Sequence, residues 1–445
     1  MSRDKRLAMK ITYFVGFPFI AFVVVGCGSN SDTSSGSDAG DGGTTATTEA
    51  GADASATTEA GADGGGAGPI PASSLTTNTW SWVPVDGAIC RDGSATGFGV
   101  NLGTATDKLM IYLEGGGACF NALTCGMNPS AFAAKDFKTQ FVGAGATHAS
   151  VGIFNRGYAQ NPVKDWSYVY VPYCTGDVHA GAHTDATVTG VTAKQQFVGY
   201  ANVAKDLARI IPSFTGLSKV LLTGVSAGGF GAASNYMQVA KAFGSVPVYE
   251  LDDSGPPMPD PYLAKCLQTE QVSLWGLDKT ILAECGTDCP DPTNYPLDFA
   301  KHVGKAYPNV PFGLIESTDD MVITEFFGFA ANNCTTLAPL SGATFTAGLT
   351  AIQTALQGQS NFGSFIFTGT QHTSLGADAT FQNGVTNAVD TLLVSPADGG
   401  SSPEGGASVD AGASPEAGTA DGGATIKLVD WVTQLVGGTT SNVGP

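Results

Sequence analysis

Basic residues are scarce in this chain. Only 20 Lys and Arg stand against 39 Asp and Glu over 445 residues, a formal net charge of −19. A nucleic-acid ligand demands a basic face to neutralise phosphates, so that class of partner is excluded. Long hydrophobic runs are equally scarce: Ile11 to Val25 is too short and too abruptly ended for a membrane span. Histidine numbers five, namely His148, His179, His183, His302 and His372, which leaves few candidates for a general base. Metal centres find little support. Cys285 and Cys289 lack a second cysteine pair at ligand spacing, and the Ala-Gly-Ala between His179 and His183 reads as loop. No metal and no cofactor is expected.

Small residues are abundant instead, and they divide the chain. Residues 28–68 are almost entirely Gly, Ala, Ser, Thr, Asp and Glu, with Thr-Thr-Glu-Ala-Gly-Ala-Asp at 47–53 repeated at 57–63. Such a segment cannot bury enough apolar surface to offset backbone entropy, so it is expected to be a disordered linker. Residues 396–424 have the same character and read as a disordered insertion. Ahead of the first linker, Arg3, Lys5, Arg6 and Lys10 precede the short apolar run, which ends in Val24-Val25-Gly26-Cys27. That is the pattern of a bacterial lipoprotein signal over 1–27, with Cys27 as the lipid anchor and the outer membrane or cell surface as the destination. The eight remaining cysteines, an even number in an exported chain, read as four disulfides.

Between the linkers, 69–395 is long enough for one catalytic domain. Apolar runs at Lys108 to Leu113, Tyr168 to Pro172, Lys219 to Thr223, Val246 to Leu251, Val310 to Ile315 and Ser364 to Phe367 read as buried strands. Helical patterns lie between several of them, including Gln195 to Ile211. The class expected is α/β: α/β-hydrolase-like, a mostly parallel central sheet flanked by helices. Ile426 to Val436, within 425–445, reads as an amphipathic helix too short to stand alone, so it should dock on the domain.

Gly224-Val225-Ser226-Ala227-Gly228 sits between the strand at 219–223 and the helical segment Gly229 to Phe243. Strand, sharp turn, helix is the context that makes G-x-S-x-G a nucleophile elbow. A serine needs a base and a group to orient that base. In the order Ser, acid, His, only His302 and His372 follow Ser226; His302 falls in a helical run, whereas His372 follows the last core strand, so His372 is the candidate base. The acid belongs on the loop Glu316-Ser317-Thr318-Asp319-Asp320, where Asp319 and Asp320 compete, Asp320 being preferred and the other expected to cap the following helix. Asp253 is a rival, read as shaping the floor of the site. Oxyanion donors are expected from Ala227 and from Gly116 and Gly117 in Glu114-Gly-Gly-Gly117-Ala118, after the strand at 108–113.

Leu113-Glu-Gly-Gly-Gly-Ala-Cys119 with Cys125, Val171-Pro-Tyr-Cys174-Thr-Gly-Asp177-Val-His179-Ala-Gly181, Gly224-Val-Ser226-Ala-Gly-Gly229, Asp253-Ser-Gly255 and Ile89-Cys90-Arg-Asp92-Gly93-Ser together resemble the pectin acetylesterase and Notum family. The resemblance runs from about Trp80 to His372 and implies carboxyl-ester hydrolysis by a Ser-Asp-His triad without metal. It implies that Asp177 and His179 line the substrate cleft. Plant members carry Trp where this chain has Ala118, which should reshape the acyl side of the pocket. The expected activity is removal of acyl groups, acetyl foremost, from a polysaccharide or another ester by a monomer; a deacylase of a lipid-modified substrate and a non-catalytic carbohydrate-binding protein are the alternatives. The expected pairing is Cys90–Cys174 and Cys119–Cys125, with Cys266, Cys285, Cys289 and Cys334 forming the other two bridges.

Overall fold

The computed structural model describes residues 68–143, 148–384, 386–388 and 425–444. The expected signal at 1–27, all but the last residue of the linker at 28–68, and the insertion at 396–424 lie outside these residues. Among the described residues the main sheet has nine strands: β1 (Trp80–Ile89), β2 (Ala95–Asn101), β3 (Lys108–Leu113), β4 (Ser167–Val171), β5 (Lys219–Val225), β6 (Val248–Asp253), β7 (Phe312–Ser317), β8 (Phe362–Phe367) and β9 (Asn442–Val443). Their spatial order is β1-β2-β4-β3-β5-β6-β7-β8-β9. From β4 to β9 every pairing is parallel, whereas β1 with β2 and β2 with β4 are antiparallel. This is an α/β-hydrolase-like architecture.

Parallel strands covered on both faces should be mostly apolar, and these are, apart from a few buried polar side chains such as Glu250 and Asp252 on β6 and Glu316 on β7. In β3 the side chains of Leu109, Ile111 and Leu113 join one core, while Met110 and Tyr112 join another on the opposite face. The first core is filled by helices α1 (Gly199–Ser213), α2 (Ala227–Phe243), α3 (Lys265–Trp275), α4 (Tyr295–Ala306), α5 (Ile323–Gly328) and α6 (Gly342–Leu356). The second holds an aromatic group around Tyr170, which stacks on Phe141 at 3.8 Å between ring centres. It also holds α7 (Leu428–Gly437), whose Leu428, Val429, Trp431, Val432, Leu435 and Val436 are all buried.

One sequence expectation is corrected, and two strands had not been read. The segment 195–211 is not one helix: Gln195–Phe197 pairs antiparallel with His183–Ala186, and the helix begins at Gly199. In addition, β1 and β2 carry Ser, Pro, Gly and Thr among their apolar residues, so neither gives a continuous run. Pro84 is tolerated because β1 lies at the sheet edge. The bridges are Cys90–Cys174, Cys119–Cys125, Cys266–Cys334 and Cys285–Cys289. Among the described residues no helix is long and apolar enough to cross a membrane.

Candidate active site

Ser226 joins β5 to α2 in a conformation rare for a residue with a side chain, φ 57° and ψ −123°. Such strain costs on the order of 1–3 kcal/mol and persists only where the surroundings fix it. Close packing does so here. A Cβ on Gly228 would lie 2.0 Å from the Leu113 carbonyl oxygen, and one on Gly224 would lie 2.2 Å from the Gly228 oxygen. The two outer glycines of the motif are therefore required by backbone approach. Ala227 is the first residue of α2, so its N–H has no acceptor within the helix.

The turn 114–118 lies directly against this elbow. A Cβ on Gly115 would fall 3.0 Å from Ser226 Cβ and 2.5 Å from the Val225 oxygen. Its peptide groups are oriented from behind. Asn128 Nδ2 donates to the Gly116 carbonyl at 2.6 Å, and His179 Nε2 meets the Glu114 carbonyl at 2.9 Å. In a trans peptide the C=O and the following N–H point in opposite directions, so holding the Gly116 oxygen turns the Gly117 N–H the other way. Asn128 is itself held. Buried Arg91 donates through Nη2 to the Asn128 carbonyl at 2.7 Å and to the Cys125 carbonyl at 2.9 Å. The Cys119–Cys125 bridge closes the same short loop.

On the far side, His372 Nδ1 lies 2.8 Å from Asp320 Oδ2. The other carboxylate oxygen, Asp320 Oδ1, accepts from Val322 N and Ile323 N, both at 2.8 Å. One aspartate thus orients the imidazole and caps α5, contrary to the expectation that the two tasks fall to different residues. Asp319 does neither; its N–H donates to the Gly369 carbonyl and its carboxylate packs against Gly342. Beneath Asp320, burial pushes the Glu316 carboxyl well up from its usual range, and the Asp320 charge adds to this.

Asp253 links the two halves. Its carbonyl accepts from Ser226 N at 2.7 Å, and its Oδ2 accepts from Ser374 N and Leu375 N, each at 2.7 Å. Burial raises it to about 6. One residue therefore fixes both the serine turn and the loop of His372. It supports the floor and is not among the residues that line the cavity beside Ser226.

That cavity, of about 100 Å³, begins at Gly117, Ala118, Ser226 and Ala227 and continues between α2 and the sheet. Its walls are apolar for most of their extent, with Phe230, Phe326 and Trp275 among them. Asp177 and His179, expected on the cleft, are not. Asp177 is fully buried and accepts from Thr175 Oγ1, Gly181 N and Gly199 N. His179 is 2% exposed, and burial lowers it to about 4, so it is neutral and serves the turn. Asn128 and Arg91 were not singled out from the sequence. Their side chains reach carbonyls distant along the chain, and no periodicity announces such bonds.

A strained serine between strand and helix, with a His–Asp pair on later loops, is the arrangement typical of α/β-hydrolase-like proteins. Residues 78–296 match the family model described as Pectinacetylesterase. Over 179 residues the chain is 28% identical to palmitoleoyl-protein carboxylesterase NOTUM of Mus musculus, covering 37% of this chain and 33% of the relative. Over 177 residues it is 30% identical to palmitoleoyl-protein carboxylesterase notum2 of Xenopus laevis, covering 37% and 34%. It therefore spans about a third of the length of these curated relatives. A solved structure titled as the Wnt deacylase Notum from Drosophila aligns with a TM-score of 0.47 at 20% identity, over 68% of this chain and 88% of that one. Residues 78–296 thus carry the likeness to the pectin acetylesterase and Notum family.

Proposed function

We propose that the protein is a serine carboxylesterase acting on acyl esters longer than acetyl. The observation that carries this reading is the apolar cavity that begins at Ser226, within the same fold that holds His372 against Asp320. Asp320 accepts the Nδ1 proton, which leaves Nε2 of His372 as the base. Nε2 takes the Ser226 hydroxyl proton as Oγ attacks the ester carbonyl. The N–H groups of Gly116, Gly117 and Ala227 receive the developing oxyanion. His372 then protonates the leaving alcohol, and water releases the acid from the acyl-enzyme by the same steps in reverse order. Ala118, where plant members have Trp, leaves the mouth of the cavity open to a chain.

The test is hydrolysis of p-nitrophenyl esters from acetate to decanoate. Turnover should rise with chain length, vanish in a folded Ser226→Ala variant, and fall on the order of 10⁴-fold in Asp320→Asn but little in Asp319→Asn. Activity retained by Ser226→Ala or by Asp320→Asn would overturn the assignment. The anchor is a separate proposal, supported by the basic start, the short apolar run and Cys27. Mass spectrometry of the mature N-terminal peptide should find a lipidated Cys27; an unmodified terminus elsewhere refutes it.

A further inference from the structure

The wall of the cavity is not apolar throughout. Glu250 and Asp252 project from β6 into its lining, each 3% exposed. Glu250 Oε1 and Asp252 Oδ1 have no hydrogen-bond partner among the described residues. A buried polar atom left unmatched costs about 1–3 kcal/mol, so two on one wall call for an explanation. Apolar residues would pack this strand interior at no such penalty. Tyr236, on α2, lines the same region.

The strand register fixes how deep these groups lie. Asp252 pairs with Gly224 and Glu250 with Leu222, two and four residues below Ser226. At about 3.3 Å per residue, the two carboxyls stand about 7 Å and 13 Å below the level of the nucleophile. A group that meets them is several carbons from the ester carbonyl.

We propose that Glu250 and Asp252 select an acyl chain bearing a hydroxyl group, so that the preferred substrates are hydroxyacyl esters. This rests on the esterase reading above and names its substrate class. Burial, reinforced at Glu250 by Asp252 and at Asp252 by Asp253, pushes both carboxyls well up from their usual range and so favours their neutral form. A neutral carboxyl offers one donor and one acceptor, and an alcohol supplies both complements. An ammonium group would have to shed its hydration inside an apolar enclosure, which disfavours an aminoacyl chain.

The experiment compares p-nitrophenyl octanoate, 8-hydroxyoctanoate and 8-aminooctanoate with the wild-type chain, Glu250→Leu and Glu250→Gln. Binding of the corresponding free acids to Ser226→Ala is measured by calorimetry, which separates selection from turnover. The wild type should favour the hydroxy ester over the plain ester about tenfold or more in kcat/KM. Glu250→Leu should erase or invert that ratio, and Glu250→Gln should keep much of it. The hydroxy acid should also bind Ser226→Ala more tightly than octanoic acid does. A wild type that prefers the plain or the amino ester overturns the proposal, as does a ratio unchanged in Glu250→Leu. If no ester is hydrolysed, the esterase reading fails while the binding comparison still decides this one. Should Glu250→Leu not fold, the wild-type ratio and Glu250→Gln decide it.

Discussion

Asn128 shows how much of this site rests on a single neutral amide. It touches neither Ser226 nor the cavity lining, yet its bond to the Gly116 carbonyl sets the plane of the peptide whose N–H faces the other way. Losing one oxyanion donor outright costs about 10²–10³ in turnover in a serine protease. Loosening a donor costs less. Asn128→Ala is therefore expected to lower kcat about tenfold to a hundredfold with KM nearly unchanged, because the ground-state carbonyl makes little use of those donors. A rise in KM at constant kcat would mean that Asn128 shapes substrate binding instead. The sharp turn at Ser226 and the pairing of His372 with a carboxylate of the 316–320 loop were legible from motif and order along the chain, because a nucleophile elbow and its base restrict which residue types can stand where. Asn128, Arg91 and the linking task of Asp253 were not, because each acts through a bond to a carbonyl or N–H set by tertiary approach.

Among the elements, the parallel strands of the sheet interior could be read as apolar runs bounded by turn residues, within a few residues of their true ends. β1 and β2 could not, since their apolar residues alternate with Ser, Gly and Thr and draw their stability from the aromatic group behind them. Trp80 packs edge-on to Phe141 at 5.0 Å and Phe154 at 5.6 Å. α7 was legible by its periodicity. Its docking follows from Gly313 on β7, where a Cβ would fall 2.4 Å from Leu435 and 2.9 Å from Trp431. Trp431 also packs on Phe365 at 5.8 Å and donates to the Ser441 carbonyl at 3.0 Å. Trp431→Ala is expected to destabilise the fold by about 3–5 kcal/mol. Urea unfolding measures it; a change under 1 kcal/mol would show that α7 contributes little to the sheet it covers.

For the whole molecule, two adjacent buried groups oppose each other as pH changes. His179 is lowered to about 4 by burial, against an ordinary 6.5. Between pH 6.5 and 4 the unfolded chain takes up this proton and the folded chain does not, so stability falls as pH falls through that window, by about 3 kcal/mol in all. Glu114 is raised to about 7 by burial, from 4.5. Between pH 7 and 4.5 the folded chain holds a proton that the unfolded chain has released, so stability rises as pH falls. The two offset one another over most of the acid limb. His179→Gln removes only the first, so the variant should lose less stability than the wild type between pH 6.5 and 4, whatever its stability at pH 7. Parallel urea midpoints across that range would contradict this.

The strand Asn442–Val443 lies beside β8 at the edge of the sheet, pairing with Ser364 and Phe365, and Ser364 N donates to the Ser441 carbonyl. β8 leads directly into the loop that carries His372. The sheet therefore cannot be completed by a growing chain: until residue 443 has emerged, this margin of β8 remains unpaired. Completion of this edge is a late event in the life of each molecule, falling only once the final strand is in place.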